Sequence, residues 1–133
     1  MKALLIVLFA LCLHTTPAER LDIALDIQRQ AFPEWEENYR AGEFDCSEMS
    51  AFTAEYLSAW GIPAEVKKGK VLGQSTSHAW VEVGKEAVEC TSLVVVPTSH
   101  YRRYNVRFTG IDMGGSEWDW WNVKYLEVRD AGN

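Results

Sequence analysis

The sequence is poor in the residues that most often carry chemistry. Beyond residue 18 it holds two cysteines, Cys46 and Cys90, and two histidines, His78 and His100. No Cys, His or carboxylate spacing among them resembles a zinc pattern, which sets aside a catalytic metal. There is no Gly-rich phosphate loop and no serine elbow, so neither a nucleotide cofactor nor a serine hydrolase is indicated. Positive charge is also in deficit, with 13 Lys and Arg against 19 Asp and Glu and a net charge of -6. Binding to a phosphate backbone needs the opposite sign, and nucleic acid is therefore not expected as a partner. The chain has no repeat, no low-complexity tract and no linker. What it does have is 133 residues, 47% of them hydrophobic, and six tryptophans, enough for one domain around one core.

Residues 1–18 stand apart. Lys2 forms a basic start, Ala3 to Leu13 an apolar run, and Thr16-Pro17-Ala18 a small-residue end, the pattern of a secretory signal. The run is too short to span a bilayer. Cys12 lies inside it, and Leu11 before it is not the small residue that lipid attachment requires. The expected product is a secreted, extracellular domain over residues 19–133, without stable membrane insertion after processing. Loss of Lys2 leaves 12 basic against 19 acidic residues, a net charge of about -7.

The rest of the chain is organised around Glu43 to Pro63. Met49, Phe52, Thr53, Tyr56, Leu57 and Trp60 recur at three- and four-residue steps, the stripe of an amphipathic helix facing a core. Gly61 suits a left-handed cap and Pro63 prevents resumption. Asp45 suits the N-cap and Glu48 completes a capping box, which leaves Cys46 at the first helical position. There the unpaired N–H groups and the positive end of the helix dipole favour the thiolate, the nucleophilic form of cysteine.

Around this helix the composition predicts an earlier helix over Leu21 to Gln30, ended by Pro33, and a turn over Glu34 to Tyr39. A strand is expected from Ala64 to Leu72 with a charged side of Lys67, Lys68 and Lys70, then a loop over Gly73 to Ser77. His78 to Val83 and Glu86 to Thr91 form a predicted hairpin turning at Gly84-Lys85. Tyr104 to Phe108 and Lys124 to Arg129 supply two further predicted strands, separated by a Gly114-Gly115-Ser116 loop. Helices first and antiparallel strands afterwards argue for an α+β domain.

The hairpin yields geometry. With a two-residue turn Val83 faces Glu86, and Glu89 falls opposite Trp80 and diagonal to His78. His78, Trp80, Glu82 and Glu89 then share one face. Diagonal neighbours lie roughly 7–8 Å apart, within reach of an imidazole to carboxylate hydrogen bond. Glu82, four residues along the same strand, is about 13 Å from His78 at ~3.3 Å per residue and is the poorer partner. A cysteine, a histidine and a carboxylate in this order are the parts of acyl transfer: Cys46 as nucleophile, His78 as base, Glu89 as orienting group.

A cysteine opening a helix that ends in Gly61-Ile62-Pro63-Ala64, a strand His78-Ala79-Trp80-Val81-Glu82-Val83, and a following carboxylate with Thr91 resemble the transglutaminase-like superfamily. That resemblance covers roughly Phe44 to Ser92. It implies a papain-like cysteine hydrolase fold, with helices packed on an antiparallel sheet and the nucleophile at a helix N-terminus. It also implies cleavage or transfer of a peptide, isopeptide or other amide bond through a thioester, with Cys46 as nucleophile, His78 as general base and then acid, and Glu89 as third member. The family usually carries Asp-Pro-Thr where this chain has Glu89-Cys90-Thr91. Phe44-Asp45-Cys46-Ser47 also resembles the signature of bacterial cell-wall cysteine endopeptidases, although those carry Gly where Glu48 stands.

Other readings compete. A non-catalytic module of the same fold, binding peptide or glycan, would use the same frame. A cysteine at a helix start is commonly packing, a strand histidine is commonly structural, and Glu89 also fits a solvated strand position. An exported chain can oxidise Cys46 and Cys90 to a disulfide, although the hairpin turns Cys90 away from His78. Trp118, Trp120 and Trp121 suit either a sugar-stacking surface or the core. Arg102, Arg103 and Arg107 suit either a recognition patch or a solvated strand face.

Overall fold

A computed structural model describes residues 16–110 and 115–132, with side chains of the last helix described from residue 120 onward. The order is α1 (Pro17–Ala31), a 3-10 turn (Glu36–Asn38), α2 (Cys46–Ala59), β1 (Glu65–Val71), β2 (Ser77–Val83), β3 (Glu86–Glu89), β4 (Val94–Pro97), a second 3-10 turn (Thr98–Tyr101), β5 (Tyr104–Gly110) and α3 (Gly115–Ala131). The strands form one antiparallel sheet in the order β4-β3-β2-β1-β5. The domain is α+β. The expected secretory segment lies outside the described residues as far as residue 15. Thr16 caps α1 by accepting the Glu19 N–H at 3.1 Å, and Pro17 opens the helix.

Two of the helices carry clear stripes. In α1 the buried residues are Leu21, Ala24, Leu25 and Gln28, a step of three and four that lays one side of the helix on the core. In α2 burial extends over Met49, Ser50 and Phe52 to Leu57, because the helix is covered by the sheet on one side and by α1 and α3 on others. The α2 N-terminus has the capping box: Asp45 Oδ1 accepts the Ser47 N–H at 3.0 Å, and Glu48 Oε2 accepts the Asp45 N–H at 3.2 Å. Its C-terminus closes with Gly61 at φ 73°, the Gly61 N–H on the Ser58 carbonyl and the Ile62 N–H on the Leu57 carbonyl. This is the paired bonding of a Schellman cap, and Pro63 follows it.

One expected strand is a helix. Lys124 to Arg129 lies inside α3, not in the sheet. Tyr125 and Val128 are buried and Trp121 packs against the same core, a spacing of four and three that only a helix presents to one side. The Gly114-Gly115-Ser116 loop is replaced in part by the start of that helix, Gly114 itself lying outside the described residues. The domain therefore ends in a helix, and helices do not all precede strands. The sheet gains β4, whose Val94 to Pro97 pair with Glu89 to Glu86. The second hairpin strand stops at Glu89 rather than Thr91.

The hairpin register is the expected one: Val83 pairs with Glu86, Glu82 with Ala87 and Val81 with Val88. Gly84 takes φ 60°, as the first central residue of a two-residue turn requires. The sheet therefore has two distinct faces. Val66, Val81, Val83, Val88 and Val95 face the helices and join a core with Trp35, Phe44, Phe52 and Tyr125. Trp35 stacks on Tyr125 at 5.5 Å between ring centroids, and its indole donates to the Cys90 carbonyl at 2.7 Å. On the opposite face Trp80 stacks on Tyr101 at 4.3 Å and 6°, beside Ala87 and Val96. The lysines of β1 do not share one side. Lys67 sits across from Trp80, whereas Lys68 sits across from Ala79 and donates to Ser47 Oγ at 2.8 Å on the helix side.

The connection from β4 to β5 runs across the Trp80 face, from one sheet edge to the other. It is pinned at its start by the Thr98 N–H on the Lys85 carbonyl at 3.3 Å and at its end by the pairing of Tyr104 with Val71. A β-bulge between Lys68 and Gly69 lets β5 close on β1. A Cβ on Gly69 would come within 2.5 Å of the Asn105 carbonyl oxygen, a backbone atom that cannot swing aside. Gly69→Ala is therefore expected to destabilise by about 3 kcal/mol, in the range of overpacked sites. Gly61→Ala meets open space and suffers only the left-handed backbone penalty, about 1 kcal/mol. Urea unfolding of both variants checks the contrast, which fails if Gly61→Ala is the more damaging.

Candidate active site

Cys46, His78 and Glu89 meet at one end of the sheet. His78 is the second residue of β2 and Glu89 the last of β3, so both stand at the same end, and α2 begins there. The tight loop before α2 sets the cysteine. Arg40 and Phe44 form an isolated β-bridge around Gly42 at φ 77°, and the Gly42 N–H donates to Asp45 Oδ2 at 2.9 Å. Phe44 is fully buried, which anchors the loop immediately ahead of the cap.

The ring of His78 bridges the other two groups. Its Nε2 hydrogen-bonds Glu89 Oε2 at 2.8 Å, and the ring lines the same cleft as Cys46, close enough for each group to shift the ionisation of the other. With Nε2 engaged, Nδ1 is the ring atom left for the sulfur. Glu89 is itself held: Tyr101 Oη donates to Oε2 at 2.6 Å and Thr91 Oγ1 donates to Oε1 at 3.2 Å. Both partners lie outside regular periodic elements, and no pattern in the sequence marks Tyr101. Glu82 is engaged elsewhere, accepting the Trp80 indole N–H at 3.2 Å. The Ala79 backbone N–H lies close enough to the sulfur to favour its thiolate.

The electrostatics follow from these contacts. Burial raises the Cys46 pKa, but the His78 hydrogen bond, the Ala79 N–H and the imidazolium charge together outweigh it and hold the thiol below its ordinary value, with Asp45 opposing. His78 is held up at about 9, first by Cys46 and then by Glu89, against the effect of burial. Burial also raises Glu89, yet the bonds from His78 and Tyr101 prevail and keep its carboxyl below the usual range. Tyr101 is pushed up, first by burial and then by the Glu89 carboxylate, so its hydroxyl stays a donor. Each group is thereby poised in the state that acid–base work through a thiolate requires.

Cys90 takes no part. Both cysteines are free, and Cys90 is fully buried on the helix face, with burial pushing its thiol up to about 12. Its sulfur donates to the Val88 carbonyl at 3.4 Å. No disulfide joins the two. The reactive end of the trio opens into a cleft of about 460 Å³ walled by Tyr39, Gln74, Tyr101 and Tyr104. Among the described residues no group of three or more His, Cys, Asp or Glu is placed to hold a metal ion. Of the tryptophans singled out, Trp121 packs against the core and Trp120 is half exposed, while the side chain of Trp118 lies outside the described residues. Arg102 and Arg103 are on the turn before β5 and only Arg107 is on the strand.

Compared with protein-family models, with curated proteins and with solved structures, the chain matches none.

The contacts make a statement about one proton. Since Cys46 and Glu89 both raise His78, its imidazolium is expected to persist to about pH 9, far above the ordinary midpoint near 6.5. Glu89→Gln and Cys46→Ala should each lower the midpoint, the cysteine variant more. NMR titration of the His78 ring measures this directly, and a wild-type midpoint near 6.5 contradicts the geometry.

Proposed function

We propose that the protein is a cysteine acyl-transfer enzyme that cleaves or transfers an amide bond through a thioester on Cys46. The observation that carries this reading is that Cys46, His78 and Glu89 line one cleft at one end of the sheet, with the His78 ring bonded to Glu89 at 2.8 Å. The arrangement of a helix-borne thiol, a strand-borne His-Ala-Trp and a carboxylate on the neighbouring strand supports the likeness to the transglutaminase-like superfamily and, with it, a papain-like fold.

In this reading the sulfur gives its proton to Nδ1 of His78, and the thiolate attacks the amide carbonyl carbon. The oxygen of that carbonyl becomes an oxyanion at the start of α2, where the first backbone N–H groups have no helical partner and the Cys46 N–H is the nearest donor. As the C–N bond breaks, His78 returns its proton to the leaving nitrogen. A water, or an acceptor amine, then loses a proton to His78 and attacks the thioester; the C–S bond breaks and the thiolate is restored. Glu89 fixes the ring and offsets the imidazolium charge without taking the proton. Tyr101 and Thr91 act as positioning residues, through Glu89.

A thiol held below its ordinary pKa remains thiolate at lower pH, so alkylation of Cys46 should stay fast well below the free-thiol midpoint near 8.5. Iodoacetamide labelling across pH, read by intact mass, measures it, and labelling that rises only above about pH 8 sinks the proposal. His78→Ala should shift the profile upward toward that of a free thiol.

The carboxylate is tested separately. Glu89→Gln is expected to lower turnover by about one to several orders of magnitude, as loss of the orienting acid does in triads. Glu82→Gln should leave it nearly unchanged. The reverse result assigns the third member wrongly.

A further inference from the structure

Beside the catalytic cleft lies a second hollow of about 580 Å³, and the two share Gln74, His100 and Tyr104. The two adjoin along these residues, and the second is walled by Arg102 and Arg103 together with Pro97 and Val71. We propose that this second hollow is a carboxylate-binding subsite, so that the substrate of the acyl transfer is an acidic peptide. The inference rests on the reading of Cys46 as nucleophile and goes further by naming what that nucleophile is offered.

The two arginines are bracketed by residues that touch the site. Tyr101, before them, bonds Glu89 at 2.6 Å, and Tyr104, after them, lies 6.0 Å from the His78 ring between centroids. The turn between is fixed by the Arg102 N–H on the Ser99 carbonyl at 3.2 Å. The same contacts that position the acid of the triad therefore position the arginines. Their backbone has little freedom to leave the hollow.

What distinguishes the pair is its place: both residues are exposed and line the hollow beside the cleft, and among the described residues no Asp or Glu lies within ion-pair distance of either, a state they share with most basic residues of the chain. Glu89, the acid lining the neighbouring cleft, is occupied by His78, Tyr101 and Thr91. In a protein of net charge -6, two guanidinium groups without an acidic partner among the described residues line one hollow and form a local positive field that selects substrates of the opposite sign. The planar fork of Arg matches a carboxylate bidentately, and carboxylates are the anionic groups that accompany amide bonds in peptides. An extended peptide lengthens by ~3.3 Å per residue, so a carboxylate a few residues from the scissile amide is the one placed to be read in the adjoining hollow.

Peptidyl acyloxymethyl ketones test this without a known substrate: the cysteine sulfur displaces the carboxylate leaving group and forms a stable thioether, counted by intact mass. Three probes with the same backbone are compared, one with Glu two to four residues from the warhead, one with Gln there, and one uncharged along the chain but ending in a succinyl carboxylate. In the wild type the Glu or the succinyl probe should modify Cys46 about three- to tenfold faster than the Gln probe, the effect of a pair of exposed ionic contacts. Which carboxylate wins tells whether a side chain or a chain end is read. The preference should shrink in about 0.5 M salt, where screening acts within a few Å. It should vanish in Arg102→Gln/Arg103→Gln and survive in Arg107→Gln, which removes a positive charge of β5 outside the hollow. Equal rates for all three probes, in a protein whose Cys46 is alkylated by iodoacetamide well below pH 8, overturn the subsite and leave the acyl-transfer reading in place. Loss of preference in Arg107→Gln as well as in the double variant overturns it too, since overall charge then accounts for the effect. A Cys46 inert to every reagent removes the underlying reading and the subsite with it.

Discussion

The site depends on α2 meeting the end of the sheet at the right height. A thiol on the first turn of a helix reaches an imidazole at the start of a strand only if helix and strand begin at the same level. Both ends of α2 are fixed for this. Phe44 is buried ahead of the cap and Asp45 gathers the N–H groups of Gly42 and Ser47, so the helix cannot slide or fray at its start. At the other end the Gly61 cap and Pro63 turn the chain directly into β1, which pairs with β2 and brings His78 back to the level of Cys46. The helix is a ruler between two caps.

Given that contact, the ionisation state follows from competing magnitudes. A helix terminus offers a thiolate about 0.3–1 kcal/mol, and the nearby Asp45 charge works against it. A charge-assisted hydrogen bond contributes about 1.5–3 kcal/mol. The imidazolium therefore decides, held up by Cys46 itself and by Glu89, which stands behind it at 2.8 Å. Three donors converge on that one carboxylate, from His78, Tyr101 and Thr91. The stacked Trp80 and Tyr101 place one of those donors, so an aromatic pair on the outer face of the sheet helps set the charge of the reacting sulfur.

Much of this was legible in the residues because it is governed by short-range rules. The capping box at Asp45 and Glu48 places Cys46, and the two-residue turn at Gly84-Lys85 places Glu89 diagonal to His78; neither depends on the rest of the chain. Longer-range features were not legible. Tyr125 and Val128 have helical spacing, but with Leu126 and Glu127 between them the run equally suits a short strand, and what decides is the pocket formed by Phe32, Trp35 and Phe44 from elsewhere in the chain. β4 is a four-residue edge strand ending in proline, too short to show alternation. Tyr101 sits on a 3-10 turn, where no period marks which way a side chain points.

The turn after Glu89 gives α1 a part in a site it never touches. Leu93 is fully buried with φ 56°, an uncomfortable backbone for a branched residue, and its carbonyl accepts the Arg29 guanidinium from the last turn of α1. The guanidinium is a latch on a sprung turn. It joins the chain just after Glu89 to the last turn of α1, so the strand that carries the carboxylate is tied to a helix that has no residue in the site.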